Sequence, residues 1–132
     1  MNSEREHLRE LLIFDEGAKV IEEAARVKEL LMLTEEGKVL PKRKVPEGLP
    51  YLYIYMLGRA MSKALGLTSD DTFTLGEITM LTGLRGDELL RTLSSSPYII
   101  YVANGRYCLN TLLLSDLLNE LEKIVGGESV AP

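Results

Sequence analysis

Lysine and arginine side chains form the most chemically suggestive cluster in this sequence. Lys38, Lys42, Arg43 and Lys44 are its densest group of cations, within a stretch, residues 37–66, that carries six bases and one acid. The chain as a whole is acidic, with a formal net charge of −5. Clustered cations contact the phosphates of nucleic acids, but they also occur in solvated, mobile loops. Both interpretations stay open, because one basic stretch in an acidic chain does not by itself indicate a nucleic-acid binder.

The residues that most catalytic and metal centres need are scarce. His7 is the only histidine and Cys108 the only cysteine, so we expect no zinc cluster, no internal disulfide and no histidine-based triad. The run Gly83-Leu84-Arg85-Gly86 lacks the Lys-Ser/Thr pair of a phosphate-binding loop. Turn chemistry explains the adjacent carboxylates Asp70 and Asp71. We therefore predict that the chain is not an enzyme and that it needs no cofactor and no metal.

The first 48 residues are predicted to form a helical extension and a basic linker. Ser3 and Glu6 have capping-box spacing, which indicates a helix start. The apolar residues that continue this helix at helical spacing are Leu8, Leu11 and Leu12. A second amphipathic helix is predicted over Val20–Leu31, either packed on its own domain or serving as a dimerisation arm. Val39–Val45 is predicted to be a short extended segment that Pro41 interrupts.

Residues 49–110 contain the most informative pattern. Leu49–Leu65 is apolar nearly all round, which predicts a helix at the centre of a core or an interface. Thr74-Leu75-Gly76-Glu77 has the spacing of a capping box and opens a short helix. Gly83 is expected to end that helix in a left-handed conformation, and a second helix is predicted over Arg85–Ser94. Two short helices joined by a glycine-containing turn predict a helix-turn-helix.

A β-hairpin is predicted after the second helix. Asn104-Gly105 favours a two-residue type I′ turn between two strands rich in β-branched and aromatic residues. Counting outward from this turn gives the pairs Ala103 with Arg106, Val102 with Tyr107, Tyr101 with Cys108, and Ile100 with Leu109. The residues that this register places on the core side are Ile100, Val102, Tyr107 and Leu109. The opposite face is also apolar, so we expect another element to cover it.

The last predicted element is a helix over Thr111–Val125, capped by Asn110 and followed by a disordered tail, residues 126–132. The leucines of its apolar stripe are Leu114, Leu117, Leu118 and Leu121. This stripe packs within its own domain or forms a subunit interface. Together with the N-terminal helices it exceeds what a small domain covers, so we expect a homodimer. The domain organisation is thus residues 1–48, 49–110, 111–125 and 126–132.

The order of three helices and a hairpin over residues 49–110 resembles a winged helix-turn-helix domain. The run from Thr74 to Leu93, followed by Asn104-Gly105-Arg106-Tyr107, looks most like the N-terminal domains of isocitrate-lyase-regulator-type (IclR) transcription factors. Small archaeal winged-helix regulators are similar in size. The fold class we expect is mainly α with a small antiparallel hairpin, plus N- and C-terminal helices.

The resemblance implies that the second helix of the pair is a recognition helix in the major groove of DNA. Arg85 and Arg91 would then reach guanine or phosphate, and Arg106 would meet the backbone or the minor groove from the wing. Asp87 and Glu88 depart from the usual pattern of such regulators. Their carboxylates repel phosphate near the helix N-terminus, although a glutamate can accept a hydrogen bond from cytosine N4.

Two functions therefore stay open. The first is a DNA-binding transcriptional regulator that acts as a homodimer on double-stranded DNA. The second is a winged-helix adaptor in a larger protein complex, which the acidic net charge, Asp87, Glu88 and an exposed Leu90 favour. The chain of 132 residues has no signal-like N-terminus and no apolar run long enough to span a membrane, so a cytoplasmic location is expected. The absence of glutamine suggests a thermophilic source.

Overall fold

A computed structural model describes residues 3–7 and 13–129, which form helices and two small antiparallel sheets. The elements in chain order are α1 (residues 3–7), α2 (Glu16–Glu22), α3 (Ala24–Val27), β1 (Leu31–Leu33), β2 (Val39–Pro41), α4 (Leu49–Ala64), β3 (Phe73–Thr74), α5 (Leu75–Thr82), α6 (Gly86–Ser95), β4 (Ile99–Ala103), β5 (Arg106–Leu109), a 3-10 turn (Thr111–Leu113) and α7 (Leu114–Ser129). None of the described helices is both long enough and apolar enough to cross a membrane.

The two sheets lie on different parts of the chain. β1 and β2 form an antiparallel hairpin in which Leu31 faces Pro41 and Leu33 faces Val39. The second sheet has the strand order β3-β5-β4, with all neighbours antiparallel. The two-residue strand that precedes α5 therefore joins the hairpin that follows α6, which ties both ends of the helix pair to one sheet.

Helix α4 lies at the centre of the core, as its apolar surface predicts. Leu52, Ile54 and Leu57 have no exposed surface, and Gly58 is buried as well. Gly58 lets the N-terminal hairpin approach closely, because a Cβ there would lie only 2.8 Å from Val39 Cγ1. One continuous apolar cluster includes residues of α2, α3, both sheets and α4 to α7.

The predicted helix over Val20–Leu31 is wrong in its second half. Backbone angles at Glu23 (φ −92°, ψ 7°) separate α2 from the four-residue α3, and Leu31 begins a strand. Pairing with β2 extends the backbone of Leu31–Leu33, and a turn closed by Thr34 N–H donating to Lys38 O at 2.9 Å joins the two strands. A tertiary pairing thus overrides the helical spacing of the apolar residues.

At the N-terminus the structure bears on only part of the predicted first helix. Residues 3–7 are helical. Leu8, Leu11 and Leu12, the apolar residues predicted to continue that helix, lie outside the described residues.

The hairpin turn forms where Asn104-Gly105 predicts it, with φ of 52° and 72° at these two residues. Ala103 faces Arg106 as expected, but an irregularity between Tyr101 and Ala103 shifts the remaining pairs by one residue. The observed pairs beyond it are Tyr101 with Tyr107, Ile100 with Cys108, and Ile99 with Leu109. One extra residue in a strand reverses which side chains face the core.

This shift overturns part of the predicted core face. Ile99 and Leu109 are buried, whereas Ile100 and Val102 are exposed to 41% and 51%. Tyr107 is half-buried and lies 5.3 Å from Tyr101 between ring centroids. Of the four residues expected on the core side, only Leu109 is fully in the core and Tyr107 partly so.

The leucine stripe of α7 is buried inside a single chain. The four side chains with no exposed surface are Leu114, Leu117, Leu118 and Leu121. Arg26 of α3 donates to Glu122 Oε1 at 2.8 Å and to Asn119 Oδ1 at 2.7 Å, so the N-terminal helices pack against α7. The prediction that these leucines form a subunit interface is wrong, because the chain's own elements cover them.

Both predicted ends of the last helix also need correction. Asn110 makes no side-chain cap, and its amide donates instead to Pro97 O at 3.2 Å. A 3-10 turn then precedes α7. Gly126 does not end the helix, which continues to Ser129, so the predicted disordered tail does not begin at residue 126. The remaining tail, residues 130–132, lies outside the described part of the chain.

Candidate nucleic-acid interface

A capping box holds the start of α5 in place. Thr74 Oγ1 accepts from Glu77 N–H at 3.2 Å, and Glu77 Oε1 accepts from Thr74 N–H at 3.1 Å. Arg59 of α4 donates to Glu77 Oε2 at 3.1 Å and lies 3.7 Å from the centre of the Phe73 ring. Partial burial alone would raise the pKa of Glu77, but the hydrogen bonds from Thr74 and Arg59 outweigh it and lower that pKa. The helix pair is thereby anchored to the core.

The turn between α5 and α6 has the backbone that the sequence predicts. Gly83 is left-handed at φ 77°, and its N–H donates to Thr79 O at 2.7 Å. Thr82 Oγ1 donates to Ile78 O at 2.8 Å and accepts from Leu84 N–H at 3.1 Å. These contacts direct the chain into α6, whose N-cap residue is an extended and exposed arginine.

Helix α6 has one buried and one exposed face. Leu89 and Leu93 pack into the core. The exposed side chains include all four residues predicted on this segment, which are Arg85, Asp87, Glu88 and Arg91, together with Leu90 and Ser94. Both carboxylates lie in the first turn, where the helix dipole stabilises negative charge.

A surface cleft of about 540 Å³ separates part of α6 from α4 and α7. Glu88 and Arg91 line it together with Glu120 of α7 and Tyr98. Burial, followed by a hydrogen bond with Glu120, raises the pKa of Tyr98. Arg91 thus shares this cleft with two glutamates, which weakens its attraction for phosphate but not its capacity to bond a base edge.

Two of the four clustered cations are engaged by backbone carbonyls. Lys42 Nζ donates to Lys28 O at 2.6 Å, and Arg43 Nε donates to Glu29 O at 3.3 Å. These carbonyls lie just after the C-terminal end of α3. The last carbonyl groups of a helix have no partner within the helix, and cationic side chains can donate hydrogen bonds to them. The basic segment thus has a structural role in addition to its charge.

The ends of the basic cluster lie at different places along α4. Lys44 lines a cleft of about 550 Å³ with Tyr51, near the start of α4, and with Met80 to Gly83 of the helix-turn region. Lys38 follows Gly37, whose carbonyl accepts from Ser62 Oγ near the end of α4. A helix rises 1.5 Å per residue, so these two positions on α4 are about 16 Å apart. The structure therefore brings Lys44, rather than the whole cluster, to the turn before α6.

Arg106 lies on β5 directly after the hairpin turn and is half-exposed. Its Nη1 donates to Thr72 Oγ1 at 3.1 Å and pairs with Asp70 Oδ2 at 3.4 Å. Hydrogen bonds from the Thr72 hydroxyl and backbone N–H, and then the charge of Arg106, lower the pKa of Asp70. The positive charge of Arg106 is thus partly neutralised by Asp70. Its Nε and Nη2 groups donate to no other residue that the structure describes.

The exposed side chain of Met80, near the helix pair, was not predicted from the sequence. Met80 is 88% exposed on α5 and lines the same cleft as Lys44. Its position two residues after the buried Ile78 was the available signal, because two helical steps rotate a side chain by about 200°. Leu90, expected to be exposed, is 47% exposed.

The other residues considered for chemistry form no centre. No three histidine, cysteine or carboxylate side chains converge as metal ligands in residues 3–7 and 13–129. Cys108 is buried, and this burial raises its pKa to about 11, which keeps the thiol protonated at neutral pH. Comparison of the chain with protein-family models, with curated proteins and with solved structures found no match.

Proposed function

We propose that residues 49–110 form a winged helix-turn-helix that binds double-stranded DNA, with α6 as the recognition helix. The observation that carries the proposal is the arrangement of α5, a three-residue turn, α6 and a hairpin around the sheet β3-β5-β4. Helix-turn-helix proteins place the second helix of such a pair in the major groove. The exposed face of α6 is free to serve this purpose.

Two of the charges around the turn support a DNA partner, although Glu47 lines the same cleft as Lys44. Lys44 lies beside the turn, and the exposed Arg85 follows Gly83 by two residues. Two cations at the entry to α6 are suitably placed to hold phosphates, and Arg91, about one and a half turns from the start of the helix, is then the base-reading candidate. Asp87 and Glu88 lower the affinity for phosphate on this face.

The proposal describes the action of a single chain. The α7 leucines that favoured a homodimer are buried within one copy, so they do not form a subunit interface, and the homodimer stays a prediction. Transcriptional regulation is the role that sequence-specific binding by such a chain would serve.

To test the proposal, the affinity for a random-sequence DNA duplex is measured by fluorescence anisotropy at salt concentrations from about 50 to 200 mM. The parent protein should bind with an affinity that falls with salt. Lys44→Ala should reduce the slope of log K against log salt by about one, because one phosphate contact is lost. Lys19→Ala is the matched control, since Lys19 lies on α2 and pairs with Glu23, and it should leave the slope unchanged. No salt-dependent affinity at about 50 mM salt would overturn the proposal.

Two further variants separate base reading from charge repulsion. The parent protein selects its preferred sequences from random DNA, and the same selection is repeated with Arg91→Ala. At one base position the variant should lose its preference, which corresponds to a loss of about 1–3 kcal/mol of binding free energy for the preferred base. The double variant Asp87→Asn with Glu88→Gln should bind all sequences more tightly, because it removes two like charges near the phosphates. Equal affinity of the double variant and the parent would mean that α6 does not approach the DNA backbone.

One observation favours a second candidate, an adaptor that binds another protein through the helix pair. Met80 of α5 and Leu90 of α6 expose large apolar side chains, and the first turn of α6 carries two carboxylates. Exposed apolar surface with a polar rim is typical of protein-binding sites. If the parent shows no salt-dependent DNA binding, this second function becomes the better explanation of the surface.

A further inference from the structure

A mostly apolar groove of about 360 Å³ lies between α3, β1 and the C-terminal part of α4, apart from the proposed DNA surface. Val27, Leu31 and Met61 line it and are almost completely buried. Met32 and Leu65 also line it, and each is 55% exposed. The partly exposed apolar side chains leave apolar surface in contact with water. A molecule bound in the groove would remove this surface from water, which favours binding.

Two ammonium groups complete the lining. Lys28 and Lys42 both border the groove, and neither forms an ion pair with a carboxylate among the residues that the structure describes. Lys42 Nζ donates to Lys28 O at 2.6 Å, which uses one of the three donors of an ammonium group. Cations without carboxylate partners therefore adjoin an otherwise apolar surface.

We propose that this groove binds a free medium-chain fatty carboxylate, with its hydrocarbon tail against Met32 and Leu65 and its head group at Lys28 and Lys42. The apolar lining favours a hydrocarbon, and the two lysines, which have no carboxylate partner among the residues that the structure describes, favour an anionic end. The volume lies at the lower end of the range for small-molecule sites, whereas a stable protein partner would need about 800 Å² on each side. The proposal is independent of DNA binding.

The methionines provide a direct readout. In the full chain labelled with methyl-¹³C methionine, titration with decanoate should shift the Met32 and Met61 methyl signals in a saturable way. The Met80 methyl should stay in place, although its side chain is 88% exposed on α5. Octanoate should bind about fifteenfold more weakly, because each buried methylene contributes about a factor of four.

Charge variants test the head-group contact. Lys28→Met combined with Lys42→Met keeps an apolar chain at both positions and should weaken decanoate binding several-fold, by two- to fivefold for each lost surface ion pair. Lys123→Met, an exposed lysine of α7 outside the groove lining, is the matched control and should leave decanoate binding unchanged. The parent should bind decanol more weakly than decanoate. Decanol has no charge to pair with the lysines, so its affinity should be the same for the parent and for the double variant.

Several outcomes would overturn the proposal. Equal, non-saturating shifts of Met32 and Met80 would indicate detergent-like adhesion to any exposed methionine. Equal affinity for decanol and decanoate would remove the role of the lysines, and no shift of Met32 or Met61 would remove the site. A Met32 signal that moves with protein concentration alone would assign the groove to a second copy of this chain.

Discussion

Replacing Gly58 with alanine tests how closely the N-terminal hairpin packs on the central helix. Gly58 lies within α4, and its neighbour across the interface is Val39 of β2. A methyl group at position 58 would lie 2.8 Å from Val39 Cγ1 and 3.2 Å from Val39 Cβ. Real Cβ atoms essentially never approach another heavy atom to less than 3.0 Å, so the Val39 side chain or β2 itself must shift.

The expected magnitude follows from two opposing effects. Alanine is favoured over glycine within a helix by about 1 kcal/mol. Overpacking a core costs about 1–3 kcal/mol, and the branched side chain of Val39 has few rotamers through which both methyl groups could move away. We therefore expect Gly58→Ala to lower the free energy of unfolding by up to about 2 kcal/mol.

Urea unfolding of four variants measures the effect and its origin. Val39→Ala alone should cost about 1.6 kcal/mol for two lost methyl groups. The double variant should be more stable than the sum of the single effects by at least about 1 kcal/mol, since the smaller side chain makes room for the new methyl. Gly76→Ala on α5 is the matched control, because its Cβ would meet only Thr74 Oγ1 at 3.8 Å, and it should stabilise the chain by up to about 1 kcal/mol. Stabilisation by Gly58→Ala of the same size as this control would refute the close packing.

Three further predictions concern the helix pair and its supporting loop. Gly83→Val should lower stability by at least about 1 kcal/mol in thermal unfolding, whereas Gly83→Asn should cost less, because the site is open and only the positive φ of 77° restricts it. Thr74→Ala should cost about 1 kcal/mol through loss of the cap to the Glu77 N–H, and Thr74→Ser should retain most of it; equal stability of both variants would show that the cap is unimportant. The lowered pKa of Asp70 means that its stabilising contribution is present above the unfolded-state pKa and is lost as the pH falls through the folded-state value. Asp70→Asn should thus flatten the fall in melting temperature below about pH 4, and an unchanged profile would contradict the role of the Thr72 hydrogen bonds.

Local signals in the sequence predicted the helix pair correctly. The capping box at Thr74, the left-handed Gly83 and the Asn104-Gly105 turn all occur where expected. Each depends on backbone sterics or on hydrogen bonds within a few residues, so the surrounding fold has little influence on them. The exposure of Arg85 and Arg91 follows from the same helical spacing.

Long-range packing determined the features that the sequence did not reveal. The β-bulge near Val102 changes which face of β4 is buried, and strand pairing at Leu31 replaces a predicted helix. The apolar spacing at these positions fits more than one structure, and only contacts between distant segments select one of them.

The candidate surface and the α7 stripe show the same division between sequence and tertiary structure. The sequence by itself determined which residues carry charge and which helix face is apolar. Only the fold decided that Lys44 reaches the α5–α6 turn while Lys42 satisfies a backbone carbonyl, and that Leu117 and its neighbours are buried within a single chain. The physical reason is that an apolar stripe or a cation must find a partner, but the sequence pattern does not specify which part of the chain provides it.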